Sequence, residues 1–334
     1  MAPSKSGGSH MNLMKAESPG PDVGKFVPRV GNTARVLYFI YTGMTIIMII
    51  ILLLLKMDWF DTFCISFATA GTGGFSVLNT GCATYTPAQQ WVITIFMALF
   101  GVNFSFYFLM LGKKFKEALK LEEVWAYILI LVGSSALIAV NIAHMSESVG
   151  TAIRDASFQV STIMTTTGFA TTDFDAWPSF SKTILLLLMM IGACAGSTGG
   201  GIKVSRILVM FKSVRQEFRK LLHPYSVSRI RLNGAVVEKS TLRSLYVFFM
   251  AYFLVFGISF LIISIDGFSM ESNISAVAAT LNNIGPGFDA VGPTSSFAGY
   301  SLLSKVVLTI DMIAGRLELM PLLILAFPGT WKRS

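Results

Sequence analysis

The sequence has little charge, and this scarcity excludes a soluble globular protein. Charged residues make up only 13% of the 334 residues, whereas hydrophobic residues make up 53%. The mean hydropathy is +0.66. Such a composition indicates an integral membrane protein.

Cysteine and histidine are also scarce. Cys64, Cys82 and Cys194 lie far apart without a CxxC pair, so neither a disulfide framework nor a zinc site is indicated. The three histidines are scattered, which argues against a histidine metal cluster. We therefore expect no covalent cofactor and no enzymatic metal centre.

Long apolar runs are what the chain does contain. A helix that crosses the hydrocarbon core needs roughly 20 apolar residues. Six stretches meet this length, namely 33–55, 89–111, 124–145, 182–211, 242–265 and 301–328. The sequence predicts an all-α protein with six membrane segments.

The distribution of charge predicts the orientation of these segments. The surplus of +8 comes from 26 Lys and Arg against 18 Asp and Glu. Basic residues cluster in 15–35, 113–120, 203–243 and 332–333, and these clusters alternate with acidic connections. Basic loops stay in the cytoplasm, so we expect both termini there, in a plasma membrane of the bacterial inner-membrane type. The basic run 203–231 is explained by this retention or by docking of a cytosolic partner; nucleic acid is not indicated.

Three shorter apolar segments, 60–70, 151–164 and 270–281, lie between the predicted spans on one side. Each is about half the length needed to cross a bilayer and leads into a glycine-containing stretch. We interpret them as re-entrant half-helices and call the stretches that follow them the first, second and third tails.

The tails are related in sequence. Aligning one glycine of each puts a β-branched residue before it, in the pairs Thr72-Gly73, Thr167-Gly168 and Ile284-Gly285. Non-helical backbone at membrane depth leaves carbonyl groups without partners, and a dehydrated cation can occupy them. With no Asp or Glu in the tails, neutral carbonyls favour a monovalent ion over calcium or magnesium. The candidate potassium ligands are the carbonyls of Ala70, Gly71, Thr72, Gly73, Thr165, Thr166, Thr167, Gly168, Asn282, Asn283, Ile284 and Gly285.

A glycine-rich stretch, 192–201, interrupts the fourth apolar segment and must break its helix. We call it the Gly-rich loop. It is not a phosphate-binding loop, because Gly201-Ile202 stands where that motif requires Gly-Lys followed by Ser or Thr. A glycine-mediated contact between helices is an alternative explanation.

Arg316 lies inside the last apolar segment, where a charge usually faces a cavity or a partner. A pore-lining position is one interpretation. The other is a structural contact with Asp311, five residues earlier, or with a carbonyl.

The three tails, the stretch 192–203 and Gly315-Arg316-Leu317-Glu318 together resemble the TrkH/TrkG/KtrB/HKT superfamily of potassium transporters, most closely its TrkH branch. The resemblance covers residues 12–334. It implies helix, pore loop, helix units similar to concatenated potassium-channel subunits, a homodimer with one pore per protomer, and a TrkA-type cytosolic subunit. That subunit, not this chain, would bind the nucleotide, ATP/ADP or NAD. The resemblance also implies a pore arginine at Arg316 and a gate made of Gly196, Ser197, Thr198, Gly199, Gly200, Gly201 and Lys203.

The chain departs from that family in one respect, because members have four pore loops and this sequence supplies three. We expect an N-terminally truncated member. The expected segments are a cytoplasmic stretch 1–32 and three repeats, 33–111, 112–239 and 240–334, with pore loops 60–76, 151–170 and 270–288, and a cytoplasmic basic segment 203–239. The alternatives are a sodium-coupled secondary transporter of another fold and a non-functional fragment of a cation channel.

Overall fold

The computed structural model describes residues 30–223, 225, 229–317 and 319. Most of the expected cytoplasmic segment 1–32 and the end of the sixth predicted span lie outside the described residues, as does Glu318.

Helices form nearly all of the regular structure in the described part of the chain, which confirms the all-α prediction. They are α1 Val30–Leu54, α2 Trp59–Ala70, α3 Pro87–Phe100, α4 Phe104–Leu111, α5 Phe115–Ala118, α6 Glu122–Ile142, α7 Val149–Met164, α8 Ser179–Ile191, α9 Val204–Leu222, α10 Lys239–Ile263, α11 Met270–Leu281 and α12 Leu302–Arg316. Short 3-10 turns occur at 174–176, 264–266, 289–291 and 297–299. A hairpin of two short strands, β1 Arg231–Leu232 and β2 Ala235–Val236, pairs antiparallel with Arg231 opposite Val236.

Three of the six predicted spans are single helices long and apolar enough to cross a membrane: Arg35–Leu54, Glu122–Ile142 and Lys239–Asp266. The span predicted at 182–211 is divided into α8 and α9, and the Gly-rich loop lies in the connection 192–203 between them. This confirms the predicted helix break. Of the sixth predicted span, the last described residues are those of α12 together with Leu317 and Leu319.

The stretch 89–111, predicted as one membrane helix, is divided into two helices. Helices α3 and α4 meet at an angle of 88° across Gly101, Val102 and Asn103. Gly101 follows the last residue of α3, and the Asn103 side chain accepts a hydrogen bond from the Ser105 N–H at the start of α4. An N-cap asparagine after a glycine supplies local partners for both helix ends, so the apolar run divides there.

The half-helices end where the sequence predicted. Helices α2, α7 and α11 end at Ala70, Met164 and Leu281, and each begins after a side-chain cap, on Asp58, Ser148 and Ser269 respectively. Helix α7 is central to the fold, since it packs against α3, α6 and α8 and is buried continuously over its last seven residues. The second tail, which follows α7, is therefore held in the middle of the packed helices.

Candidate functional site: the tails and the Gly-rich loop

The three tails repeat one backbone conformation. One residue after the helix cap the chain turns left-handed, with φ of 51°, 57° and 57° at Thr72, Thr166 and Asn283. Two residues later it turns left-handed again at a glycine, with φ of 68°, 89° and 110° at Gly74, Gly168 and Gly285. Between these turns, an N–H donates to the carbonyl five residues earlier over 2.7, 2.9 and 2.8 Å, from Gly73, Thr167 and Ile284. The three tails are therefore repeated in backbone conformation as well as in amino-acid sequence.

This repetition corrects the expected alignment by one residue in the first tail. Gly74, and not Gly73, is equivalent to Gly168 and Gly285, and Ala70 is the last residue of α2 rather than part of the tail. The rule of a β-branched residue before the glycine therefore holds in only two tails. Two successive glycines are indistinguishable in the sequence, whereas the left-handed conformation is required at only one of them.

The tails lie side by side in chain order. A Cβ atom on Gly74 would overlap the carbonyl oxygen of Thr167, and one on Gly168 would overlap that of Ile284. A Cβ atom on Gly285 would meet no atom of the described residues within 4 Å. The three tails thus form an arc whose third member has an open side.

The carbonyl groups of this arc do not take part in secondary structure. No N–H of the described backbone donates to the carbonyl oxygens of 72–74, 165–168 or 282–285. Yet Thr166, Thr167 and Asn282 are almost completely buried. Buried carbonyls without backbone partners are costly in an apolar surrounding and are suited to replace the water around a cation.

The Gly-rich loop touches all three tails. Thr72 Oγ1 donates to the Thr198 carbonyl over 2.9 Å, and the Gly200 N–H donates to Thr166 Oγ1 over 2.6 Å. A Cβ atom on Gly200 would lie 2.7 Å from the carbonyl oxygen of Asn282. Glycine is required at this position because the loop backbone lies directly against the tails.

Arg316 connects the loop with the first tail. Its Nη1 lies 3.4 Å from the Thr198 carbonyl oxygen, and its Nη2 lies 3.5 Å from that of Gly71. Asp311 instead accepts a hydrogen bond from Ser259 Oγ over 2.9 Å. Of the two structural partners considered for Arg316, the carbonyls are the ones that the side chain contacts.

The bend between α3 and α4 holds the other side of the loop, a contact that the sequence did not reveal. The Cys194 N–H donates to the Gly101 carbonyl over 3.1 Å, and the Phe104 N–H donates to the Gly196 carbonyl over 3.0 Å. Within the loop, the Lys203 ammonium donates to the Gly199 carbonyl. The signal that could have located this contact is a glycine and an N-cap asparagine inside an apolar run.

Charged groups at the opposite ends of the half-helices join the second and third repeats. Lys182 Nζ lies 3.2 Å from Asp175 Oδ1 and 2.5 Å from Glu271 Oε1. Asp289 accepts hydrogen bonds from the hydroxyls of Ser269 and Ser272, and these bonds lower the pKa of its carboxyl group. Asp289 therefore stays ionised at neutral pH.

We expect Gly101→Ala to destabilise the fold. A Cβ atom there would overlap Tyr127 Oη and lie 2.8 Å from Thr165 Cγ2, and overpacking of this kind costs about 1–3 kcal/mol. The measurement is the melting temperature of the detergent-solubilised protein. Gly133→Ala in α6, where no described atom lies within 4 Å, is the matched control and should not lower it. Equal melting temperatures for both variants would show that the bend tolerates separation from Tyr127.

Comparison with known proteins agrees with this architecture. The chain matches the family described as "TrkH: Cation transport protein" over residues 5–331. It is 37% identical over 328 residues to the Trk system potassium uptake protein TrkH of Salmonella typhimurium, covering 96% of this chain and 67% of that protein. It is 32% identical over 327 residues to the Trk system potassium uptake protein TrkG of Escherichia coli, again covering 96% and 67%.

A solved structure leads to the same conclusion. The crystal structure of the potassium transporter TrkH from Vibrio parahaemolyticus superimposes with a TM-score of 0.83 at 35% identity, over 93% of this chain and 67% of that one. Sequence identity above 30% over nearly the whole chain, together with the same fold, indicates common ancestry rather than an independent origin of similar helix packing. The chain therefore belongs to the TrkH family of Trk potassium uptake transporters, which are membrane ion transporters and not enzymes.

Proposed function

We propose that the chain conducts potassium through a filter built from the backbone carbonyls of the three tails. The ligands would be the carbonyls of Gly71–Gly74, 165–168 and 282–285, a register that replaces Ala70 by Gly74 in the expected set. Support comes from the repeated left-handed turns and from carbonyls that accept no hydrogen bond from a backbone N–H of the described residues. The Gly71 carbonyl does accept a side-chain hydrogen bond, from Thr72 Oγ1 over 2.7 Å, and Arg316 Nη2 lies 3.5 Å from it. Neutral oxygen ligands of this kind suit a weakly hydrated monovalent cation.

The Gly-rich loop is proposed as the gate. The observation that carries this proposal is that residues 198–200 lie against the beginning of every tail, at Thr72, Thr166 and Asn282. A loop in that place would obstruct an ion leaving the arc. Arg316 adds a positive charge beside the same loop and the first tail, and that charge would repel a passing cation.

The assembly follows from the same proposal. We propose a homodimer with one pore per protomer, a TrkA-type cytosolic subunit that binds the nucleotide, and a plasma-membrane location with cytoplasmic termini. The relatives are named as proteins of a Trk system, which supports an assembly of more than one component. The basic residues of α9, which include Lys212, Arg215 and Arg219, offer a cationic surface for the cytosolic subunit. The proposed fourth quarter of the filter would lie on the open side of Gly285.

Binding and transport test the proposal separately. Crystals grown in rubidium chloride are expected to show anomalous density against the tail carbonyls of 165–168, and sodium chloride crystals none. In cells that lack their own potassium uptake systems, the chain is expected to take up rubidium-86 in competition with potassium. Absence of the anomalous density would refute the filter. Uptake that requires sodium and is indifferent to potassium would support the sodium-coupled transporter instead.

A further inference from the structure

We propose that Glu123 is the residue that positions the gate, an inference that rests on the proposed role of the Gly-rich loop. Glu123 is in the first turn of α6 and is only 2% exposed. Its Oε1 accepts hydrogen bonds from the Ala195 N–H over 2.6 Å and from the Ser205 N–H over 3.2 Å. One carboxylate oxygen thus binds both the first half of the loop and the helix that follows it.

The second carboxylate oxygen reaches the other support of the loop. Asn103 Nδ2 donates to Glu123 Oε2 over 3.3 Å, while Asn103 Oδ1 caps α4. The carboxylate therefore joins the α3–α4 bend, the entry of the loop and the start of α9. A buried carboxylate is costly unless donors surround it, and hydrogen bonds to a charged acceptor are the strong kind.

Through Glu123, helix α9 is connected to the proposed gate. Ser205 lies in the first turn of α9, where the N-terminal N–H groups of a helix favour a negative charge. Because Ser205 and Ala195 share one oxygen, a movement of α9 that withdraws Ser205 also changes the bond that holds the loop entry.

The chain contains its own probe for the position of the loop. Cys194 is adjacent to Ala195 and is fully buried, and Cys82 is equally buried but lies in a different region, where its N–H bonds to the Ala170 carbonyl. The rate at which N-ethylmaleimide modifies each thiol, followed by mass spectrometry of the intact chain and its peptides, reports local opening at each position. This measurement does not depend on ion flux, so it remains decisive if the proposed conduction is wrong.

Glu123→Gln is the main variant. The glutamine keeps an oxygen toward Ala195 and Ser205, but its amide N–H₂ replaces the oxygen that faces the Asn103 N–H₂. Loss of the charge and of this bond is expected to speed modification of Cys194 about tenfold and to leave Cys82 unchanged. Glu122→Gln, the same chemical change one residue earlier at an exposed ion pair with Lys212, is the control and should change neither rate.

Asn103→Asp tests the same contact from the other partner. The aspartate still caps α4 but places a second carboxylate against Glu123 Oε2, and it should also speed modification of Cys194. An unchanged Cys194 rate in both variants would overturn the proposal. So would an equal rise at Cys82, which would mean general loosening of the fold, or an equal rise in Glu122→Gln, which would mean an effect of charge alone.

Discussion

Replacing Gly168 by serine is expected to reduce the ratio of rubidium uptake to sodium uptake by about tenfold or more. Gly168 has φ of 89°, and a left-handed L-residue costs roughly 1–2 kcal/mol, which is close to one factor of ten. The Cβ atom would also overlap the carbonyl oxygen of Ile284, a proposed ligand in the neighbouring tail. The second and third tails cannot both keep their positions, so the spacing of the filter carbonyls must change.

Controls separate the filter from the fold in this experiment. Gly257→Ser in α10 introduces the same side chain where no described atom lies within 4 Å, and it should leave the ratio unchanged. Gly285→Ser has an unfavourable φ of 110° but no steric overlap with the described residues, so its effect should be smaller than that of Gly168→Ser. If Gly168→Ser retains the original ratio at equal expression, Gly168 is not part of the filter.

Removing the charge of Arg316 is expected to increase potassium flux. At a separation of roughly 5 Å and an effective dielectric constant near 20, a unit positive charge repels a cation by about 3 kcal/mol. Arg316→Ala would therefore raise the flux by up to about a hundredfold if the loop stays in place. The guanidinium also contacts the carbonyls of Thr198 and Gly71, so its removal would loosen the loop in the same direction.

Two further variants identify which property of Arg316 matters. Arg316→Lys keeps the charge but loses the fork that reaches two carbonyls, and its flux should lie between those of the parent and Arg316→Ala. Lys305→Ala removes a positive charge from the same helix, at a residue that donates to the Ala298 carbonyl away from the loop, and should not change the flux. A lower flux in Arg316→Ala at equal expression would instead assign Arg316 a structural role.

The positions of the half-helices could be predicted from the sequence because they depend on local signals. A run of apolar residues of half the spanning length with a glycine-containing stretch after it predicted the ends of α2, α7 and α11 correctly. The break at the Gly-rich loop was also predictable, since several glycines in a short stretch cannot continue a helix. Each of these features needs only a few neighbouring residues.

Other features could not be predicted because they arise between segments that are distant in the chain. The register of the first tail depends on which of Gly73 and Gly74 lies against Thr167, and that neighbour is more than 90 residues away. The bend at Gly101 was predicted as part of one span because the residues around it are mostly apolar. Its role as a support for the Gly-rich loop is visible only from the hydrogen bonds that join the bend to Cys194 and Gly196.

By itself, the sequence determined that this protein lies in a membrane, where its three half-helices end, and that a glycine-bearing unit recurs three times. These properties can be predicted because they depend on the overall composition and on residues within one or two helical turns of each other. The tertiary structure decided which backbone groups face each other: three tails in an arc, one loop against all of them, and the buried Glu123 between the loop and its supports. Such contacts depend on the packing of α3, α6, α7 and α9 together, and no local pattern specifies that packing.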